Sequence, residues 1–238
     1  MKVETAMVMA AGLGTRMRPL TDHKPKPLVE VAGKPLIEYA FEKLRLAGVK
    51  KAVVNVHYLP EQVEAYVTHD VSDLDIIISD ERALLLETGG GLVKALPMID
   101  GDPFFCINSD AIWTDHEVDG LSRLAQAWDA ETMDALLLLV RRARAFSHRG
   151  NGDFSIDETG RPVRRGAAAD APFVYTGIQL LSRAFLNDAP EGPFSTNILW
   201  DRSIAKGRLF ALEHSGDWFD IGSPAAIAPT QEALRQHG

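Results

Sequence analysis

The chain has 238 residues, 46% of them hydrophobic and 24% charged, with a formal net charge of −8. These values fit a globular protein of one domain, and the acidic balance argues against a general nucleic-acid binder, which usually carries a basic face. The single cysteine excludes an intramolecular disulfide and a cysteine-rich metal site, no signal peptide is evident, and no apolar run approaches the ~20 residues of a membrane span. We therefore expect a cytoplasmic protein with neither a membrane nor a nucleic acid as partner.

The first half of the chain alternates between strand-like and helix-like patterns. Apolar residues recur at helical spacing in KPLIEYAFEKLRLAG, at Leu36, Ile37, Ala40, Phe41 and Leu44. Strands are predicted in TAMVMAA, KAVVNVHY, LDIIISD, PFFCINSD and MDALLLLVRR, and further helices in PEQVEAYV, GGGLVKALP and HEVDGLSRLAQAWDA. Apolar strands separated by helices predict an α/β fold, with a doubly wound, mainly parallel sheet covered on both faces.

The pattern changes after about residue 145. Turn residues and alternating apolar positions in residues 151–181 predict a β-hairpin and a further strand. Two helices are then predicted in STNILWDRSIAKG and PAAIAPTQEALRQ, with short strands in RLFALEH and DWFDIG between them. No linker interrupts this region, so we expect one domain over residues 1–238, in which residues 146–238 form one wall of a cleft.

The first loop, AAGLGTRMRPLTDHKPKPL, combines glycines with basic residues at the end of a predicted strand. Ligands of parallel sheets bind at such strand ends. Gly12 and Gly14 would let backbone amides approach phosphate oxygens, while Arg16 and Lys26 would neutralise their charge. The glycines alone fit a plain tight turn equally well, because Met17 stands where a dinucleotide fingerprint needs a third glycine or alanine.

A longer segment, MAAGLGTRMRPLTDHKPKPLVEVAGKPLIEY, resembles the signature of the sugar-1-phosphate nucleotidylyltransferase family. The resemblance continues through LETGGGLVKAL, FFCINSDAIW, YTGIQLL and WFDIGSP. It implies a Rossmann-like fold of the nucleotide-diphospho-sugar transferase type. The reaction it implies joins an NTP to a sugar 1-phosphate and gives an NDP-sugar and pyrophosphate. LETGGG, NSDAIWTD and HRGNGDF look most like the N-acetylmuramate-1-phosphate uridylyltransferase group of peptidoglycan recycling.

The resemblance also implies which residues bind the nucleotide, within residues 1–145. Arg16 would contact the departing phosphates and Lys26 the α-phosphate and the incoming sugar phosphate, and with Asp110 these residues would carry catalysis. Thr88 and Gly89 would face the base, where glycines allow a flat ring to lie close; a glycine-rich helix start is the alternative. The implied nucleotide contacts are Ala10, Ala11, Gly12, Gly14, Thr15, Arg16, Lys26, Thr88 and Gly89.

Two carboxylates match the metal ligands of the resembled family. Asp110 and Asp220 would bind Mg²⁺, which prefers hard oxygen ligands and usually keeps several waters. From the residues alone, Asp110 also fits a strand-end turn residue, and Asp220 fits a cap before the last helix, although Ser223 is better placed for that cap. Five histidines show no metal spacing and are interpreted as ordinary surface or loop residues: His57, His69, His116, His148 and His214.

The sugar contacts implied by the resemblance fall mainly in the second part of the chain. They are Asn108, Gly152, Asp153, Tyr175 and Thr176. The Glu-Lys-Pro segment of longer relatives is absent, and ETGRPVRRG stands in its place. Arg161, Arg164 and Arg165 either replace the missing lysine or are solvated hairpin charges. Trp113 and Phe154 either support a sugar face or pack in the core.

Three functions remain open from the sequence. The first is Mg²⁺-dependent transfer from UTP to N-acetylmuramic acid 1-phosphate, and the second is a mannose- or heptose-1-phosphate guanylyltransferase. The third is a catalytically silent binding or regulatory domain of the same fold. Retention of Arg16, Lys26, Asp110 and Asp220 argues against the silent domain. The sequence leaves the base, the sugar and the oligomeric state open, with a monomer or small homo-oligomer expected.

Overall fold

The secondary structure follows the predicted order of strands and helices. The structure is a computed structural model, and it describes residues 1–237. Its strands are β1 (Thr5–Met9), β2 (Glu30–Val31), β3 (Lys34–Pro35), β4 (Lys51–Val56), β5 (Asp75–Asp80), β6 (Phe104–Asn108), β7 (Ala111–Trp113), β8 (Ala135–Arg141), β9 (Ala145–Phe146), β10 (Phe154–Ile156), β11 (Pro162–Arg164), β12 (Phe173–Leu181), β13 (Leu209–His214) and β14 (Trp218–Asp220). Its helices are α1 (Leu36–Leu46), α2 (Pro60–His69), α3 (Glu87–Ala95), α4 (Gly120–Ala127), α5 (Asn197–Ala205) and α6 (Ile227–His237).

A nine-stranded sheet forms the centre of the molecule. Strands β5, β4, β1 and β6 are parallel neighbours, and β12 then pairs antiparallel with both β6 and β8. Strand β13 lies parallel to β8 at the far edge, and the β10–β11 hairpin joins the first half of β12. The predicted mainly parallel α/β sheet is confirmed, as are the hairpin and the strand after it.

The two faces of the sheet carry separate cores because side chains alternate along each strand. In β1, Ala6 and Val8 pack on one face with α1, whereas Met7 packs on the other with Leu92 of α3. Every residue predicted on the apolar face of α1 is buried, namely Leu36, Ile37, Ala40, Phe41 and Leu44. No helix in the described residues is long and apolar enough to cross a membrane.

A small three-stranded sheet brings the end of the chain back to the end of β6. In it, β14 lies between β7 and β9, antiparallel to the first and parallel to the second. Asp220 of β14 stands opposite Ala111, the first residue of β7. The sequence predicted β14 but neither β7 nor β9, which have only three and two residues.

Two boundaries differ from the predictions. Strand β6 ends at Asn108, so Asp110 lies in the turn before β7 rather than at a strand end. Helix α3 starts at Glu87, before the glycines that were expected to open it. Glu87 has a φ of 59°, in the left-handed region that favours glycine.

Candidate active site

Two adjoining cavities open at the carboxyl ends of β1 and β6. The first has a volume of about 410 Å³ and is lined by Met9, Ala10, Ala11, Gly12, Lys26, Pro27, Asn55, Leu85, Glu87, Thr88, Asn108, Ser109, Asp110 and Ser195. The second has a volume of about 320 Å³ and is lined by Met9, Thr88, Leu92, Cys106, Asn108, Asp153, Phe154, Arg164, Tyr175, Gln179, Ser195, Thr196, Asn197 and Trp200. Four residues line both: Met9, Thr88, Asn108 and Ser195.

The loop after β1 presents a row of free backbone amides. Gly14 has a φ of 63°, and its carbonyl accepts hydrogen bonds from the Thr21 hydroxyl at 2.8 Å and the Met17 amide at 2.9 Å. Within the described chain, the amides of residues 12–16 donate to no protein acceptor. Successive free amides in such a turn form a concave site for anions. Ala10, Ala11 and Gly12 also line the first cavity.

Lys26 and Asp110 form an ion pair in the first cavity, although 84 residues separate them in sequence. Their side chains are only 13% and 33% exposed, so solvent screens the pair less than a surface pair. Ser109 precedes Asp110 where the resembled family usually has glycine, and its φ is not positive. The serine therefore places no strain on the backbone that carries the Asp110 carboxylate.

Arg16 and Asp220 converge beside Gly222. A Cβ atom at Gly222 would lie 3.0 Å from Asp220 Oδ1 and 3.3 Å from Arg16 Nη1. In the part of the chain that the structure describes, Arg16 makes no ion pair or hydrogen bond. Its guanidinium is thus available to bind an anion.

Asp110 and Asp220 carry the hard oxygen donors that a divalent cation such as Mg²⁺ prefers. Asp110 directly precedes β7, and Asp220 ends β14, which pairs with β7 so that Asp220 lies opposite Ala111. No group of three or more His, Cys, Asp or Glu residues able to hold a metal occurs among residues 1–237. Two carboxylates with several waters are a coordination typical of Mg²⁺ rather than of Zn²⁺.

A buried polar network that the sequence analysis missed supports the loop from below. The Ala10 amide donates to Asn55 Oδ1 at 2.7 Å, and Asn55 Nδ2 donates to Glu81 Oε1 at 2.7 Å. Glu81 Oε2 accepts from the Leu86 amide at 3.0 Å, and Glu81 is 1% exposed. The signal was present in the sequence: Asn55 interrupts an apolar strand, where a buried amide needs partners.

Gly89 packs against another part of the chain. A side chain there would overlap the Phe194 ring, and the Gly89 amide already donates to the Phe194 carbonyl at 2.8 Å. Gly89 does not line either cavity. The missing side chains therefore admit the Phe194 ring at Gly89, the Gly192 carbonyl at Gly90 and the Glu81 carboxylate at Gly91. Thr88 does line both cavities, and its hydroxyl oxygen accepts from the Thr196 amide at 2.9 Å.

Three of the five predicted sugar contacts line the second cavity: Asn108, Asp153 and Tyr175. Gly177, at a φ of 81°, stands in the irregular part of β12, and a Cβ there would lie 2.7 Å from Asn108 Nδ2. A glycine is therefore required where β12 passes the Asn108 amide. Asp153 Oδ2 accepts from the Tyr175 amide at 2.9 Å, which ties the hairpin to β12.

The structure does not bring Thr176 and Gly152 to the cavity wall. Thr176 is 1% exposed, and its hydroxyl donates to the Leu138 carbonyl at 2.7 Å on the neighbouring strand. Strand alternation explains this, because Tyr175 and Thr176 must point to opposite faces. Gly152 has a φ of 83° and a side chain there would overlap the Ala171 carbonyl, so it shapes the hairpin beside Asp153.

Aromatic side chains form the floor of the second cavity. Tyr175 meets Trp200 edge to face with ring centroids 4.7 Å apart, and Phe154 meets Trp200 at 6.0 Å. Trp200 Nε1 donates to Gln179 Oε1 at 2.9 Å. Burial raises the pKa of Tyr175 well above its ordinary value, so its phenol stays protonated. Trp113, in contrast, is a core residue that lines neither cavity.

Five histidines were interpreted as ordinary surface or loop residues, which is wrong for His214, while His148 is a loop residue with a specific side-chain partner. His148 Nδ1 lies 3.0 Å from Asp220 Oδ2, beside the predicted metal site. His214 is 1% exposed, and its Nε2 donates to the Thr114 carbonyl at 3.0 Å. Both contacts join segments about 70 to 100 residues apart, which local spacing does not reveal.

The sequence matches known proteins along most of its length. The family model described as nucleotidyl transferase matches residues 5–165. An N-acetylmuramate alpha-1-phosphate uridylyltransferase from Caulobacter vibrioides is 43% identical over 97% of both chains. One of the same name from Neisseria meningitidis is 35% identical, over 95% of this chain and 96% of that protein. A mannose-1-phosphate guanylyltransferase subunit beta from Dictyostelium discoideum is more distant, at 28% identity over 92% of this chain and 61% of that enzyme.

The fold is shared with solved nucleotidyltransferases. The inositol-1-phosphate CTP transferase from T. maritima superposes with a TM-score of 0.81 over 99% of this chain and 96% of that one, at 18% identity. This likeness confirms the expected nucleotide-diphospho-sugar transferase type of fold.

Proposed function

The chain belongs to the nucleotidyl transferase family, and on that premise we propose that it transfers a uridylyl group from UTP to N-acetylmuramic acid α-1-phosphate. The products are UDP-N-acetylmuramic acid and pyrophosphate. One observation carries the proposed reaction: the free amides of residues 12–16 and the charged groups of Arg16, Lys26, Asp110 and Asp220 converge at one sheet edge. The choice of base and sugar rests on 43% identity to a uridylyltransferase over 97% of both chains.

In this reaction, an oxygen of the sugar phosphate attacks the α-phosphorus of UTP. A phosphorus–oxygen bond forms as the bond from the α-phosphorus to the bridging oxygen breaks, and pyrophosphate leaves with that electron pair. No protein nucleophile is required, so catalysis consists of positioning and charge stabilisation. Lys26 contacts the α-phosphate and the sugar phosphate, Arg16 contacts the leaving phosphates, and the loop amides hold the triphosphate.

Asp110 and Asp220 are the residues that would hold Mg²⁺. When bound, the cation offsets negative charge on the attacking and leaving oxygens. The pairing of β14 with β7 supports this assignment, because it places carboxylates from the two parts of the chain at one edge. Met9, Thr88, Asn108 and Ser195, shared by both cavities, mark where UTP in the first cavity meets the sugar phosphate from the second.

The test is pyrophosphate release from UTP, CTP, GTP or ATP, each combined with the 1-phosphates of N-acetylmuramic acid, N-acetylglucosamine and mannose. We expect the highest kcat/KM for UTP with N-acetylmuramic acid 1-phosphate. A chelator should abolish turnover, and added Mg²⁺ should restore it. Preference for GTP with mannose 1-phosphate would replace the proposal with a guanylyltransferase. If the folded protein releases no pyrophosphate with any of these substrate pairs, it is a catalytically silent domain.

A further inference from the structure

The second cavity has one cationic side chain in its lining, Arg164. Lys26 lines only the first cavity, where the phosphates of both substrates meet in the proposed reaction. The reaction centre therefore already has cations, and the phosphate of a sugar 1-phosphate does not need Arg164 in the proposed reaction. A cation at this separate place suits a second negative group on the sugar.

Arg164 is held in a fixed orientation by its surroundings. Its Nε donates to Asp201 Oδ1 at 2.9 Å, and its two terminal nitrogens donate to Asn197 Oδ1 at 3.1 Å and to the Asn197 carbonyl at 3.0 Å. The guanidinium also lies over the rings of Trp200 and Phe154, at 5.2 and 5.4 Å from their centroids. Such a side chain loses little further conformational freedom when it binds a ligand.

These contacts leave part of the guanidinium free. Of the five N–H donors of an arginine, three are engaged by Asp201 and Asn197. The remaining donors are on the two terminal nitrogens, whose planar geometry suits a carboxylate. Asp201 is 63% exposed, so it balances the charge from the solvent side without filling the cavity.

We infer that Arg164 recognises the lactyl carboxylate of the sugar substrate, an inference that rests on the proposed function. N-acetylmuramic acid differs from N-acetylglucosamine by this 3-O-lactyl group, which carries a carboxylate. A carboxylate against Trp200 and Phe154 without a cation would lose hydration without compensation. Arg164 supplies the compensation, and it makes the second cavity selective for a carboxylated hexosamine.

The other two arginines of the hairpin do not have this position. Arg161 contacts the Gly207 carbonyl and lies over Phe210, and Arg165 donates to the Gly152 carbonyl at 2.9 Å. Neither lines a cavity. Arg161→Gln is therefore a matched control, because it removes the same charge from the same strand region outside the cavity.

The experiment measures kcat/KM for N-acetylmuramic acid 1-phosphate and for N-acetylglucosamine 1-phosphate with UTP, in the wild type, R164Q, R164K and R161Q. We expect R164Q to lower the ratio of the two values by about 10- to 100-fold, the range of a charge-assisted hydrogen bond, mainly through KM. R164K should lie between R164Q and the wild type, since lysine keeps the charge without the planar fork. R161Q should keep the wild-type ratio.

Each other outcome identifies what failed. Equal losses for both sugars in R164Q would place Arg164 on the sugar phosphate and overturn the inference, while no change would reduce Arg164 to a partner of Asp201. Wild-type enzyme that uses neither sugar would overturn the proposed function. In that case, thermal unfolding with the free sugars still tests the carboxylate site. If N-acetylmuramic acid stabilises the wild type but not R164Q, and N-acetylglucosamine stabilises neither protein, the site is supported. If N-acetylmuramic acid does not stabilise the wild type, the inference about Arg164 is overturned as well.

Discussion

His148 Nδ1 lies 3.0 Å from Asp220 Oδ2, so a loop histidine holds the carboxylate proposed to bind Mg²⁺. A carboxylate only accepts hydrogen bonds, and therefore Nδ1 is the donor. His148 also packs at 5.9 Å from the Trp218 ring, on the strand that carries Asp220. The imidazole thus fixes the direction of the Asp220 side chain from outside the cavities.

We predict that His148→Ala weakens Mg²⁺ binding through Asp220. Loss of a hydrogen-bond partner of a metal ligand typically costs 10- to 100-fold in metal affinity. The Mg²⁺ concentration for half-maximal rate should rise accordingly, while kcat at saturating Mg²⁺ falls less. His69→Ala, on the exposed end of α2, is the control and should leave this concentration unchanged. An unchanged Mg²⁺ dependence in His148→Ala would show that the contact has no positioning role.

Asp110→Asn should abolish most of the turnover while leaving the fold intact. The substitution keeps the shape of the side chain but removes the charge that Lys26 now contacts. We expect kcat to fall by about 100-fold or more, the scale of losing one preorganised electrostatic contact. Circular dichroism and urea unfolding should show a folded protein. Asp217→Asn, a nearby carboxylate that lines neither cavity, is the control; similar losses in both variants would argue against a catalytic role for Asp110.

The sequence predicts those parts of the fold that depend on local pattern. The apolar face of α1 and the apolar run of β8 are each specified within one segment, and both were predicted correctly. Strands β7 and β9 are too short to show a period. Their pairing with β14 depends on tertiary packing: Ile112 of β7 shares a small third core with Phe219, and Phe146 of β9 stacks on Phe219 with ring centroids 5.3 Å apart.

The same distinction separates the site residues. The loop after β1 is one continuous segment, so the sequence alone shows that its glycines and basic residues lie together. For Gly89 the sequence cannot show the packing, because a missing side chain admits either a ligand or another part of the chain, and Phe194 approaches from more than 100 residues away. Likewise, the sequence around Arg164 does not show that Trp200 and Asn197 of α5 contact its side chain.

Glu81→Gln should destabilise the protein and distort the loop after β1. Both Glu81 oxygens accept from N–H donors, of Asn55 and of the Leu86 amide. Glutamine has one oxygen, so its NH₂ group must face a donor, which costs about 1–3 kcal/mol in the free energy of unfolding. Urea unfolding measures this loss, and KM for UTP should rise because Asn55 also holds the Ala10 amide. Wild-type stability would mean that the network rearranges without cost.

His214 should make the protein less stable in mild acid. Burial is the main cause of a pKa below the ordinary 6.5, opposed by Asp115 and assisted by Arg123 and Lys43. Below pH 6.5 the unfolded chain takes up a proton that folded His214 does not. The free energy of unfolding therefore decreases as the pH is lowered, by at most about 1.4 kcal/mol per pH unit. The loss ends once the pH passes the folded pKa.

Urea unfolding between pH 7.5 and 5.0 measures this slope in His214→Gln, which keeps an N–H donor for the Thr114 carbonyl but does not titrate. The slope below about pH 6.5 should be smaller than in the wild type. His23→Gln, at an exposed position, should keep the wild-type slope. Equal slopes in all three proteins would exclude His214 as the source.

Cys106 should resist alkylation in the folded protein although it lines the second cavity. It is 2% exposed, and burial raises the pKa of its thiol from 9.0 to about 12, an effect that a hydrogen bond with Gln179 only partly opposes. The thiolate is the reactive form, so at pH 8 the reactive fraction of Cys106 is far below that of an ordinary cysteine. Iodoacetamide should label Cys106 in urea but not in buffer, and the intact mass of the protein measures this labelling. The enzyme should keep its activity after the treatment in buffer. Rapid labelling of the folded protein would show that the second cavity opens as far as β6.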